Sequence, residues 1–175
     1  KKSVIPTAWE SRFLDGTYPA LRWATLTDLS RPKRATLWAD PPEILLLNFE
    51  LLRNPWDLAR AEALVRSRRV ALIADEAHLI SNTETQGHRA WKSLSPKAVQ
   101  VLTMTATPVE TSPMDLYGLL ALLDYPLPSV SFWQSSYCTL APQWVATEAG
   151  PREIYIPTGF KKTKAVSEDI GRVID

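Results

Sequence analysis

Cysteine is almost missing from this chain of 175 residues, which holds Cys138 alone. A single thiol excludes an internal disulfide framework and fits a reducing compartment, cytoplasm or nucleus. Its simplest role is that of a small packed residue. Glycine is also scarce, six residues against fourteen prolines, so the connections are rigid rather than flexible. None of the six glycines is followed by lysine. The phosphate-cradling pattern Gly-x-x-x-x-Gly-Lys-Ser/Thr is therefore not among these residues. No apolar run approaches the ~20 residues that span a bilayer, and Lys1-Lys2 leads into no long apolar segment of signal-peptide type. Excess charge is lacking too. At a net charge of +1, bulk electrostatics draws the chain to no polyanion, and any nucleic-acid surface must be a local patch.

What remains is an ordinary globular composition, 45% hydrophobic and 22% charged, long enough for one domain with a real core. Seven tryptophans are many for this length and serve as anchors in or just beneath the surface. The organising stretch is Arg69–His78. Val70 to Ala74 is unbroken and apolar, and it ends in the adjacent carboxylates of Asp75 and Glu76. Such a run fits a strand buried on both faces, as in a parallel sheet covered by helices. Ligands of open α/β sheets gather beyond the carboxyl ends of the strands. Neighbouring carboxylates repel, and a bound cation relieves the repulsion. One acid can hold Mg²⁺ through water while the other takes a proton from an attacking water. A strand that simply ends in a polar turn has the same pattern. The next apolar segment, Val99–Met104, weighs against that plainer reading, because it ends in Thr105-Ala106-Thr107-Pro108. It lies about 30 residues further on, room for a crossover helix and a second parallel strand.

Asp75-Glu76-Ala77-His78 followed by Thr105-Ala106-Thr107-Pro108 resembles motifs II and III of the superfamily-two helicases, the first being a DEAH box. Leu102 to Pro108, then Met114-Asp115-Leu116-Tyr117-Gly118-Leu119-Leu120, resembles more narrowly the SWI/SNF-type translocases. The resemblance implies a RecA-like lobe of P-loop NTPase type: a parallel sheet flanked by helices. It implies ATP and Mg²⁺ as cofactors, with Asp75 holding the metal through water and Glu76 polarising the attacking water. His78 would link the nucleotide site to motif III, where Thr105 and Thr107 relay between ATP and nucleic acid. Double-stranded DNA is the implied track. Thr7 and Trp9 stand where motif Ia meets the nucleic-acid backbone, and Asn48 where motif Ib runs beside it. Trp9 reads equally well as core packing, and Phe49 as a packing residue. Ser81 departs from the Ile-Lys-Asn that usually follows the acidic box.

Local signals place the remaining elements. Thr7 and Glu10 form a capping-box pair at a helix start. Leu21–Leu26 is a short strand and Ser30–Arg34 a basic, solvated turn. Glu43–Phe49 is a second buried strand. Asn54-Pro55 opens a helix with Leu58, Ala61, Leu64 and Val65 inward. A helix from Thr83 to Leu94 faces Ala90, Trp91 and Leu94 inward. Ser112-Pro113 opens another, with Leu116, Leu119, Leu120 and Leu123 as its stripe. Residues 1–125 thus form the lobe with motifs Ia to III. Residues 126–175 form an extension in which Pro126, Pro128, Pro142, Pro151 and Pro157 break long elements. In it Gln143–Thr147 and Arg152–Ile156 pair as a hairpin, Thr158–Lys162 is basic and exposed, and a linker helix starts at Ser167.

The expected lobe is incomplete. The resemblance puts the phosphate-loop strand before Lys1 and the second RecA-like lobe, with its arginine finger, after Asp175. Without the former, the Val99–Met104 strand presents an open apolar edge. Two rival readings stand beside the motor lobe. One is a non-catalytic helicase-like scaffold that binds nucleic acid or a protein partner. The other is a hydrolase with Asp75, Glu76 and His78 as metal ligands, although three ligands within four residues rarely converge on one ion.

Overall fold

A computed structural model describes residues 9, 10, 14, 18, 20–109, 112–148, 150–161 and 168. The chain divides into two compact units, Lys1–Val70 with Arg89–Val99, and Ala71–His88 with Gln100–Asp175. Thr7 and the expected last helix, Glu168 apart, lie outside the described residues. None of the described helices is long and apolar enough to cross a membrane.

In the first unit β1 (Trp23–Thr25) pairs in parallel with β2 (Ile44–Leu46), Trp23 opposite Ile44. Arg34 and its neighbours correct the sequence reading. Ser30–Arg34 is not a solvated turn but the entry to α1 (Arg31–Ala39), with Pro32 in its first turn. The arginine is occupied: its guanidinium grips the carboxylate of Asp57 through Nε at 3.0 Å and Nη2 at 3.1 Å. Trp38 donates its indole N–H to the same carboxylate at 3.0 Å. Asp57 is fully buried in the first turn of α2 (Pro55–Ser67). A buried carboxylate is tolerable only when paired and hydrogen-bonded, and here the bidentate fork and the indole supply both. α2 begins as expected, with Asn54 Oδ1 accepting the Trp56 amide proton at 2.9 Å. Two arginines stack on Trp56, the half-buried Arg60 at 3.5 Å and the exposed Arg31 at 4.8 Å from the ring centroid. Phe49 packs edge-on against Trp91, centroids 6.5 Å apart. Ala90, Trp91 and Leu94, on α3 (Gln86–Leu94), are buried as the spacing predicts.

In the second unit β3 (Ala71–Ala74) pairs in parallel with β4 (Gln100–Thr103), from Ala71 opposite Gln100 to Ala74 opposite Thr103. The strand order and direction are those expected, but burial on both faces is not found. Ile73 and its partner Leu102 are 53% and 46% exposed, and of the β3 residues only Ala74 is buried. The physical reason is layer count: among the described residues this sheet has two strands, and nothing covers that face. The strands expected over Leu21–Leu26 and Glu43–Phe49 are likewise shorter, Trp23–Thr25 and Ile44–Leu46.

α4 (Pro113–Leu122) starts at a full capping box: Ser112 Oγ accepts from the Met114 amide, and the Asp115 carboxylate accepts from the Ser112 amide. Leu116, Leu119 and Leu120 are buried, but Leu123 is 41% exposed while Leu122 takes the inward position. The helix ends at Leu122, so Leu123 follows the cap rather than the helical stripe. Leu116, Leu120, Trp133 and Cys138 form one core with Met114, Tyr117, Leu127, Tyr137 and Phe160 around it. Trp133 belongs to α5 (Val130–Tyr137), whose N-cap is Ser129. Burial pushes the Cys138 thiol up from its ordinary pKa, with Lys161 pulling the other way.

The hairpin is present and longer than expected: β5 (Cys138–Thr147) and β6 (Gly150–Phe160) form an antiparallel ribbon. Pro142, Pro151 and Pro157 sit inside it and do not break it. Each strand of a two-stranded ribbon has one unpaired edge, where a missing N–H costs nothing. Gly150, at φ 109°, supplies the turn conformation that side-chain-bearing residues rarely adopt. Thr158 to Phe160 belong to β6 rather than to an exposed basic loop.

Candidate functional site

The expected acids and threonines of the second unit come together at one rim. Pairing runs past the strand ends: the Met104 amide donates to Ala74 O at 2.8 Å, and the Ala77 amide donates to Met104 O at 3.0 Å. Those bonds hold the residues after β3 against the residues after β4. Between them the chain turns sharply. Glu76 adopts a left-handed backbone, φ 51°, and opens a short 3-10 turn, Ala77–Ile80. That reversal lifts the Glu76 side chain out of the strand direction and leaves it 48% exposed. Asp75 Oδ1 accepts the Glu76 amide proton at 3.0 Å, which fixes the acid at the head of the turn.

His78 is the junction. Its Nδ1 lies 3.2 Å from Glu76 Oε2 and 3.0 Å from Thr105 Oγ1. A ring nitrogen bearing a proton can share it between these oxygens. One bearing a lone pair would face an ionised carboxylate with repulsion. The tautomer protonated on Nδ1 is therefore the one that satisfies Glu76. Thr105 Oγ1 also accepts the Thr107 amide proton at 3.1 Å. Glu76, His78, Thr105 and Thr107 thus form a continuous polar chain from one strand end to the next. Thr107 itself is exposed.

Three contacts behind this rim were given no role in the sequence reading. Ser81, buried, donates its hydroxyl to His78 O at 2.9 Å. His88 Nδ1, also buried, lies 2.9 Å from Ile80 O, so it donates there. Gly118 brings α4 against the Ser81 carbonyl so closely that a Cβ would lie 1.7 Å from that oxygen. A glycine inside an apolar helical stripe was the available signal, because it gives up helix stability without filling space.

The residues expected on the nucleic-acid side lie in the first unit. Trp9 is half-buried. Glu10, next to it, accepts the Thr25 hydroxyl proton. Asn48 is engaged locally: its side-chain oxygen accepts the Leu51 amide proton at 3.0 Å, and its amide donates to Thr27 Oγ1 at 3.2 Å. Among the described residues no group of three or more His, Cys, Asp or Glu is arranged as a metal cage. Magnesium bound with a nucleotide asks less of a protein, one or two carboxylates beside phosphate and water. The half-buried Asp75 at the rim meets that requirement.

Parallel strands ending in an acidic turn and a threonine turn, bridged by histidine, are the arrangement expected at the rim of a RecA-like lobe. Comparison with known proteins gives the family: residues 1–145 match the SNF2-related domain, and the chain belongs to that family. A curated relative, the putative SWI/SNF-related matrix-associated actin-dependent regulator of chromatin subfamily A member 3-like 1 of Arabidopsis thaliana, is 40% identical over 65 residues. That match covers 37% of this chain and 7% of the relative. Among solved structures the chain resembles the Sulfolobus solfataricus SWI2/SNF2 ATPase core in complex with dsDNA, with a TM-score of 0.56 and 25% identity. The likeness covers 71% of this chain and 24% of that one, so this chain spans a small part of the proteins it matches.

Proposed function

We propose that this lobe contributes the hydrolytic edge of an ATP-driven translocase moving on double-stranded DNA. The observation that supports the reading is the His78 bridge between Glu76 and Thr105. Asp75 would hold Mg²⁺ through water, and bound ATP supplies the phosphoanhydride bond to be cleaved. Glu76 orients a water molecule and accepts its proton on the carboxylate. His78 holds Glu76 from behind and ties it to Thr105, so a displacement of the 105–107 segment reaches the acid directly. Such an arrangement couples DNA engagement on the threonine side to water activation on the acid side. No Gly-x-x-x-x-Gly-Lys-Ser/Thr pattern occurs among these 175 residues, so the reading requires another segment to supply that loop and a second lobe. Trp9, Thr7 and Asn48 are the proposed backbone contacts to DNA.

The test is ATP turnover by the full-length protein with and without duplex DNA. Turnover should rise with duplex, and Glu76→Gln should lower it by roughly 10²–10⁴ while ATP binding persists. A wild-type protein with no duplex-dependent turnover, or a Glu76→Gln variant with normal turnover, overturns the reading.

A further inference from the structure

α4 follows the threonine turn with only a short connection, and its capping box fixes where it starts. Midway along it, Gly118 rests on the carbonyl group of Ser81. A Cβ added there would meet Ser81 O at 1.7 Å and Ser81 C at 2.6 Å. Those are backbone atoms, so no side-chain rotation relieves the overlap. Either the helix retreats or the turn moves. The preceding Ile80–Ser81 peptide and the Ser81 side chain are held as well. His88 donates to Ile80 O at 2.9 Å, and Ser81 Oγ donates to His78 O at 2.9 Å. The residues held in this way lie directly after Glu76 and His78 on one tight turn, Ala77–Ile80.

We propose that Gly118 is a positioning residue for the hydrolytic edge. Its bare Cα lets α4 seat on the Ser81 carbonyl. That contact sets the depth of the 76–81 turn, and with it the reach of His78 to Thr105 and Glu76. This rests on the reading of Glu76 as the water-orienting acid, and it adds a regulatory input to that site. A shift of α4 passes through the Ser81 carbonyl and the Ala77–Ile80 turn to the acid, in parallel with the route through Thr105. Seating of a helix against a backbone carbonyl is all-or-none, because packed interiors resist partial displacement.

Gly118→Ala in the full-length protein tests the proposal, with Leu116→Ala as its control. Leu116 stabilises the same helix through its core with Leu120 and Trp133, away from Ser81. Two readouts are taken: kcat and KM for ATP, and hydrogen exchange in the 75–82 peptide without nucleotide. Misplacing catalytic groups by about 1 Å costs on the order of 10²-fold in rate. Gly118→Ala should therefore lower kcat by about tenfold or more and leave KM within about twofold. The Ala77 amide should exchange about tenfold faster, as its bond to Met104 O opens more often. Leu116→Ala should lower the melting temperature yet keep wild-type kcat and exchange well below it. Wild-type kcat and exchange in Gly118→Ala, or equal losses in Leu116→Ala, overturn the proposal. If Gly118→Ala does not fold, native-state hydrogen exchange of the wild type carries the test: the Ala77 amide and the amides of α4 should open together as denaturant is added, and independent opening overturns the proposal. If the wild type has no ATP turnover, the hydrolytic reading fails alone, and exchange still decides whether Gly118 seats the turn.

Discussion

Asp57 carries the clearest energetic prediction at the scale of single residues. It is fully buried and holds the Arg34 guanidinium on two oxygens and the Trp38 indole on one. Asp57→Ala leaves the arginine charge mostly out of water without its partner. Loss of one member of a buried pair costs about 3–5 kcal/mol. Urea unfolding should show that loss, and replacing Arg34 by Met as well should recover part of it. Neither residue announced this role in the sequence. Arg34 sat in a basic cluster and Asp57 in a first helical turn, and each had an adequate local explanation. Their pairing joins residues 23 apart and exists only once two helices have packed. The rim residues were legible for the opposite reason. Asp75, Glu76, His78 and Thr105 lie at the ends of strands, where chain direction alone brings neighbouring termini together.

Elements read well where a cap or a period defined them. Asn54 and Ser112 both cap the helices they were expected to open. Ser112→Ala should cost about 1 kcal/mol, as removal of an N-cap hydroxyl does. Thermal unfolding should register it, and Ser112→Asp should retain most of the stability. The stripe of α4 went astray at Leu123 because a periodic pattern has no stop signal of its own. The ribbon was longer than the prolines suggested for a related reason. Proline rules are rules about donors, and Pro142, Pro151 and Pro157 occupy strands with an edge free of partners. Burial was the least legible property of all. Val70 to Ala74 is apolar enough for a covered strand, but coverage depends on neighbouring layers, and Ile73 and Leu102 face none among the described residues.

On the scale of the molecule, the family assignment gives the lobe its proposed work, and near-neutral charge sets how that work can be done. At +1 overall, these residues exert little long-range attraction on a polyanion, so the proposed DNA contacts of this lobe must be a few local ones to phosphate. Each phosphate neutralised adds about −0.9 to the slope of log affinity against log salt for duplex DNA. For the full-length protein, Lys→Ala and Arg→Ala variants in this lobe should flatten that slope only where they touch phosphate. Arg34→Ala should leave it unchanged, because its guanidinium is committed to Asp57. A flattened slope for Arg34→Ala in a binding titration would place DNA on α1 instead.

The left-handed backbone at Glu76 sets thermal endurance against work. Any residue with an ordinary side chain is strained there by about 1–2 kcal/mol, and asparagine tolerates the shape better than glutamate. Glu76→Asn should thus survive heating at least as well as the parent while, on the proposed reading, losing most of its ATP turnover, as is expected of Glu76→Gln. Heat-challenge selection on this protein would enrich such variants, so a thermostability campaign should assay the proposed ATP turnover alongside survival.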